Sequence, residues 1–255
     1  MSLELFNLSG KRVLITGSGR GIGFEMAKGL GQAGAEIIIS DINSQRLESA
    51  VAELQSMAIR AHGVIMNVTD ERQIEKTIAD IQQNIGPIEV LFNNAGVNLR
   101  GPLEEYSFED WKTVLDINLA GVFLVSKQVV KDMIKRQAGK IVNTCSLMSE
   151  LGRSSTAAYT ASKGGVKMLT KAMTVEWAKH NIQINGIGPG YFISEMTKPL
   201  VEDKKFNEWI CGRTPANRWG QLKELVGAAI FLASDASSFV NGQIIYVDGG
   251  FLSTM

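Results

Sequence analysis

The chain has 255 residues, 45% of them hydrophobic, and its 26 Lys and Arg balance 26 Asp and Glu to a formal charge of zero. That length and apolar content suffice for one large α/β domain with a full core, and a neutral chain carries no field that would recommend nucleic acid or an anionic membrane as partner. Two separated cysteines, Cys145 and Cys211, and two separated histidines, His62 and His180, offer no disulfide framework, zinc cluster, HExxH motif or Ser-His-Asp triad, so no metal site is expected. Residues 1–10 read as neither a signal nor a transit peptide, and no apolar run approaches membrane-spanning length. A soluble, cytoplasmic protein acting on a small molecule is expected.

Val13-Leu14-Ile15 reads as the first strand. It enters Thr16-Gly17-Ser18-Gly19-Arg20-Gly21-Ile22-Gly23, and a helix from Ile22 to Ala33 follows, with Ile22, Met26, Leu30 and Ala33 on one face. Glycines keep bulky side chains out of that turn, and the helix N-terminus beyond it carries a partial positive charge, which together suit a diphosphate. The spacing is GxxxGxG rather than the GxGxxG of the general dinucleotide fingerprint, so the strand before and the helix after carry the reading. A second strand, Glu36 to Ser40, ends at Asp41, 18 residues past Gly23, where a carboxylate would grip a ribose hydroxyl. Arg20 inside the loop would instead pair with a ribose 2′-phosphate, so use of both NAD and NADP is expected.

Leu47, Ala50, Val51, Leu54 and Met57 recur at helical spacing, and Ala61 to Val68 reads as a third strand closing a βαβαβ half. A capped helix begins near Thr69-Asp70 and buries Ile74, Ile78, Ile81 and Ile85 before Gly86-Pro87 stops it. Val90-Leu91-Phe92 is the fourth strand and runs into Asn93-Asn94-Ala95-Gly96. A long helix from Phe108 to Ile134 turns Trp111, Leu115, Leu119, Val122 and Val125 inward. Asn118 sits inside it against helix propensity, so it is either solvated or part of a buried polar network.

Lys140 to Cys145 is the fifth strand, leading to Ser146 at the edge where open α/β sheets bind ligands. Ile182 to Ile187 and Gln243 to Val247 are the sixth and seventh, ending in Gly188-Pro189-Gly190 and Asp248-Gly249-Gly250. The alternation predicts an α/β, doubly wound Rossmann fold, one domain over residues 1–255, with a seven-stranded parallel sheet and helices on both faces. The connection 191–220, rich in aromatic and charged residues, reads as a substrate lid or as a structural excursion. Tyr159 and Lys163, four residues apart in a helical pattern, share a face. An ammonium so placed stabilises the charge a phenol acquires on giving up its proton, which an acid/base tyrosine needs. An interfacial Tyr and a solvated Lys would be the bland reading, and the upstream glycine loop together with Ser146 outweighs it.

Jointly, Thr16-Gly17-x-x-x-Gly21-x-Gly23, Asn93-Asn94-Ala95-Gly96, Asn118, Ser146, Tyr159-x-x-x-Lys163 and Pro189-Gly190 resemble the short-chain dehydrogenase/reductase family across essentially the whole chain. The resemblance implies Tyr159 as acid/base, Ser146 polarising the substrate oxygen, Lys163 holding the nicotinamide ribose, and Asn118 anchoring a water in the proton relay. It implies cofactor contacts from Gly17, Ser18, Gly19, Arg20, Gly21, Ile22, Gly23, Asp41, Asn67, Val68, Asn94, Ala95, Gly96, Tyr159, Lys163, Pro189, Gly190, Phe192 and Ser194. Three of these depart from the family's common pattern: Asn67 stands where many members have Asp, Phe192 where a branched aliphatic is usual, and Ser194 where Thr is usual. A homotetramer is also implied, with the helices at 108–134 and 158–179 pairing across one interface and the C-terminal strand region forming another.

Ser149-Glu150-Leu151-Gly152-Arg153, the run from Lys163 to Thr170, and His180 to Gly186 through Glu195-Met196-Thr197 are similar to a sugar-acid branch of that family, which works at carbon 5 of gluconate. A guanidinium best holds the carboxylate of such a substrate, and Arg100 and Arg153 both follow strand-end segments, so they join Ser146 and Tyr159 as substrate-binding candidates. Reduction of another ketone, such as a 3-oxoacyl group on a carrier protein, is the enzymatic alternative. Non-catalytic dinucleotide sensing is the other, and the presence of Tyr159 and Lys163 counts against it.

Overall fold

Short apolar strands alternate with amphipathic helices, and side chains on successive strand residues point to opposite faces, so one sheet buries two layers. The computed structural model describes residues 3–195 and 197–254; Met196, within the Glu195-Met196-Thr197 segment, lies outside them. The strands are β1 (Arg12–Ile15), β2 (Glu36–Asp41), β3 (Ala61–Ile65), β4 (Val90–Asn93), β5 (Gly139–Thr144), β6 (Ile182–Pro189), β7 (Phe192–Ile193), β8 (Gly220–Gln221) and β9 (Ile244–Val247). Seven of them form the parallel sheet in the order β3-β2-β1-β4-β5-β6-β9, while β7 and β8 pair separately. The expected doubly wound sheet is therefore present, and the order in which strands are added reverses between β1 and β4, where a crevice opens at the strands' carboxyl ends.

On one face, Val13, Ile15, Ile37 and Ile39 pack with Met26 and Leu30 of α1 (Gly21–Gln32), Leu47 and Leu54 of α2 (Ser44–Ser56), and Leu232, which lies on a late helix. On the other, Leu14 and Ile38 pack with Ile74 and Ile78 of α3 (Glu71–Asn84) and with Val125, Val129 and Met173. Burial of such side chains contributes roughly 1.5 to 3 kcal/mol each.

Three expectations need correction. The third strand stops at Ile65, three residues before Val68. The Asn67 side chain accepts from Thr69 N (3.0 Å) and Thr69 Oγ1 (2.9 Å), and Asn67 N donates to Gln73 Oε1 (2.7 Å), so turn bonding replaces the ladder there. The long helix is in fact α4 (Phe108–Leu115), a π-turn (Asp116–Ala120) and α5 (Gly121–Arg136). Its buried face runs through Val114, Asn118, Val122 and Val125, leaving Trp111, Leu115 and Leu119 half-buried. Finally, the helical run Phe108–Arg136 is long and apolar enough, by length and composition, to cross a membrane. Its inner face is spent on the core, with Val122, Val125, Val129 and Met133 buried, as in the central helix of a packed domain.

Candidate active site

The glycine loop and the turn after β4 are stitched together by side chains. Thr16 Oγ1 accepts from Asn94 N (3.0 Å) and Ala95 N (3.1 Å), while Asn94 Nδ2 donates to the carbonyls of Thr16 and Gly17 (3.0 Å each). Gly17 has φ +60°, and a Cβ there would lie 2.7 Å from Ala95 Cα, so no other residue fits. Gly21 also has a positive φ, +63°, but a Cβ on it would meet no protein atom within 4 Å. That space belongs to the main cavity, which Gly21 lines. The α1 N-terminus beyond it has no side-chain cap, so its first amides and its dipole face the cavity unanswered.

Gly17, Arg20, Gly21 and Ile22 line this cavity of about 600 Å³, together with Asp41, Asn67, Val68, Asn94, Ala95, Gly96, Pro189, Gly190, Phe192 and Ser194. Ser18 faces away: its hydroxyl donates to Ile15 O (2.6 Å) and accepts from Ser40 N (3.2 Å), which fastens the loop to β2. Gly19 and Gly23 are also absent from the lining, and Gly19 earns its place by close approach, since a Cβ would lie 2.6 Å from Asp41 Oδ2. Asp41 Oδ1 accepts from Asn43 N (3.0 Å) and from Arg46 Nη2 (2.8 Å). Arg46, which sequence reasoning passed over, lines the cavity and has a buried Nε without a partner. The available signal was Asn43, the N-cap of α2, whose side chain accepts from Arg46 N and so turns the first helical turn towards the strand end.

At the end of β5, Ser146 caps a short 3₁₀ turn, Leu147–Ser149, and its hydroxyl accepts from Met148 N (3.2 Å). Ser149 Oγ accepts from Ser146 N (3.2 Å) and donates to Lys163 O (2.9 Å), so the serine's segment is tied to α6 (Ala157–Trp177). Lys163 Nζ donates to Thr144 O (2.6 Å) and lies 5.7 Å from the centre of the Tyr159 ring. Ser146, Tyr159 and Lys163 all line the cavity. Cys145, immediately before Ser146, is buried, and burial pushes its thiol up to about 11 despite the Lys163 ammonium, which disfavours the nucleophilic thiolate.

Asn118 does not line the cavity. Fully buried in the π-turn, it accepts from Val97 N (2.8 Å) and donates to Val97 O (2.9 Å) and Ser162 Oγ (3.1 Å), clamping the loop after β4 to α6. The buried-network alternative is the one realised. Asn118→Ala strands both polar groups of Val97, so we expect a stability loss of about 2 to 4 kcal/mol. Urea unfolding checks this: the midpoint should fall at constant slope, and a loss under about 1 kcal/mol would contradict the clamp.

The 191–220 connection folds into α7 (Lys198–Glu202), α8 (Lys204–Arg213) and the β7–β8 pair. Its aromatics cluster: Tyr191 lies 6.0 Å from Phe206, 5.7 Å from Trp219 and 5.5 Å from Phe251, ring centre to ring centre. Arg153 and Arg100 both line the cavity, Arg100 exposed and Arg153 half-buried. The loop leading to Arg153 is pinned by Glu150, which accepts from Lys167 Nζ (2.6 Å) and Tyr246 Oη (2.6 Å). Lys167 holds Glu150 below the usual carboxylate range, and burial, then Glu150, pushes the Tyr246 phenol well up.

A family model described as short chain dehydrogenase matches residues 11–205. The 5-keto-D-gluconate 5-reductase of Escherichia coli (strain K12) is 54% identical over 249 residues, covering 98% of each chain. The 2-dehydro-3-deoxy-D-gluconate 5-dehydrogenase of Formosa agariphila is 52% identical over 257 residues, 100% of this chain and 97% of that one. Among solved structures, a gluconate 5-dehydrogenase from Burkholderia cenocepacia J2315 in complex with NADP and tartrate has a TM-score of 0.97 at 47% identity, with both chains fully covered. Identity at this level along the whole length goes beyond a shared architecture, and this chain belongs to the short-chain dehydrogenase family.

Proposed function

We propose that this protein is an NAD(P)-dependent oxidoreductase that interconverts D-gluconate and 5-keto-D-gluconate. The observation that carries the reading is the meeting, in one cavity, of Tyr159, Ser146 and Lys163 with an arginine, Arg153, that no carboxylate among the described residues neutralises. The reductase and dehydrogenase names borne by relatives of about half-identical sequence point to the same chemistry.

The residues present fit a nicotinamide dinucleotide: open space at Gly21, uncapped α1 amides, and Asp41 on the cavity wall. When bound, the cofactor donates or accepts the hydride. In reduction, Tyr159 delivers its phenolic proton to the substrate carbonyl oxygen while Ser146 Oγ donates a hydrogen bond to that oxygen. In oxidation the proton returns to the phenolate. Lys163 spends one N–H on Thr144 O, which orients the ammonium beside the Tyr159 ring and leaves two donors for a ribose.

Asp41 favours a free ribose 2′-OH, whereas Arg20 and Arg46 favour a 2′-phosphate, so both cofactors are expected to work. Asp41→Ala should shift the kcat/KM ratio towards NADP, and Arg20→Ala towards NAD. Steady-state kinetics with each cofactor checks this, and an unchanged ratio in both variants contradicts it.

The chain is further proposed to act in the cytoplasm as a homotetramer. Unpaired Cys145 and Cys211 suit a reducing compartment. Phe108, Phe123, Met168 and Val175, exposed on α4, α5 and α6, form apolar surface that a second copy would cover. Light scattering should give a tetramer, and a monomer at micromolar concentration would contradict the assembly.

A further inference from the structure

Arg153 is held in a particular way. Its guanidinium carbon lies 4.5 Å from the centre of the Phe206 ring and within 6 Å of the Trp209 and Tyr191 rings, at 5.8 and 5.9 Å. Nη1 donates to Tyr191 Oη (3.0 Å), the one hydrogen bond its side chain makes among the described residues. All three aromatics belong to the 191–220 connection, whereas Arg153 follows β5.

A guanidinium has five N–H donors along its edge and none on its faces. Aromatic rings satisfy the faces through the ring quadrupole without consuming a donor, and Tyr191 takes one donor, so four remain. An aliphatic or acidic neighbour would behave differently: the first would leave the long side chain free to rotate, and the second would cancel its charge. A stacked arginine with an open edge is preorganised for a bidentate carboxylate.

We infer that Tyr191, Phe206 and Trp209 form an aromatic cage whose work is to hold Arg153 edge-on to the cavity, selecting substrates that carry a carboxylate and coupling their binding to the seating of the lid. Phe206 is accordingly a positioning residue that acts through Arg153. This inference rests on the sugar-acid reading above, and it assigns to the 191–220 connection a function that reading does not contain.

The test compares the parent with Phe206→Leu, Phe206→Tyr, Arg153→Ala and the Phe206→Leu/Arg153→Ala double variant. Two readouts are used: KM and kcat for 5-keto-D-gluconate and for a neutral ketohexose, and tryptophan fluorescence of the NADPH-bound protein titrated with gluconate, with Trp209→Phe run alongside to isolate the cage's share of the signal from the four tryptophans. Phe206→Leu should raise KM for the keto acid about fivefold, with kcat within about twofold and the neutral ketone unaffected. Phe206→Tyr should restore the parent value, and the double variant should equal Arg153→Ala alone, because a cage without its arginine has nothing to hold. If Arg153→Ala weakens the keto acid and Phe206→Leu does not, or if the two effects simply add, the cage is overturned while the sugar-acid reading stands. If the parent does not reduce the keto acid but gluconate still quenches tryptophan in a Phe206-dependent way, the substrate reading fails and the cage stands. If gluconate produces no such response and the keto acid is not reduced, both fail.

Discussion

Tyr159→Phe is expected to lower kcat for 5-keto-D-gluconate by about a hundredfold to ten-thousandfold while leaving the dissociation constant for NADPH within about threefold. The substitution removes one oxygen, and with it the proton the reduction needs, but keeps the ring that packs against the cluster of Leu147, Met148, Ile210, Trp219 and Phe251. The loops proposed to hold the cofactor are braced elsewhere, by the Thr16 and Asn94 bonds between them, so binding and turnover should separate. Stopped-flow mixing with NADPH and thermal unfolding of the variant check the two halves. Retention of most of the activity would remove Tyr159 from the acid/base role, and loss of NADPH binding would show that the fold had been damaged instead.

The second large effect concerns the substrate anion. Charge-assisted hydrogen bonds contribute roughly 1.5 to 3 kcal/mol, or about tenfold to more than a hundredfold in affinity. Arg153→Ala is therefore expected to raise KM for 5-keto-D-gluconate by at least about tenfold, with a smaller effect on a neutral ketohexose. Arg100 is exposed where Arg153 is half-buried, and solvent screens it more, so Arg100→Ala should cost less. The neutral substrate separates anion recognition from general harm to the site. If both variants handle the keto acid as the parent does, gluconate is not the substrate, although the dehydrogenase chemistry survives.

Much of the scaffold was legible because its signals are local. Val13 and Ile15 face one layer and Leu14 the other, as the strand period requires, and the glycine loop lies where the periodicity changes from strand to helix. That Tyr159, Lys163 and Ser146 line one cavity was legible for the same reason: a helix face and a strand end are short-range geometry. What escaped the sequence depends on contacts between distant segments. The Ser18 hydroxyl turns away from the cavity because β2 lies beside it and engages it, a contact the loop's own sequence does not carry. Arg46 gained meaning only by curling back on Asp41. The π-turn at Asp116–Ala120 has no sequence signature, and Asn118 could be read only as one of two alternatives until Val97 and Ser162 closed around it. The stack of Phe206 on Arg153 joins residues 53 positions apart in the chain.

The central claim, that this cavity reduces the keto group of a sugar acid with a nicotinamide cofactor, is tested most directly by mixing purified protein with NADPH or NADH and 5-keto-D-gluconate and following nicotinamide absorbance. The expected result is stoichiometric loss of reduced cofactor with formation of D-gluconate, reversal when D-gluconate and oxidised cofactor are supplied, and a much lower kcat/KM for a neutral ketohexose of the same length. Tight cofactor binding without turnover of the keto acid, or a preference for the neutral ketone, would contradict it.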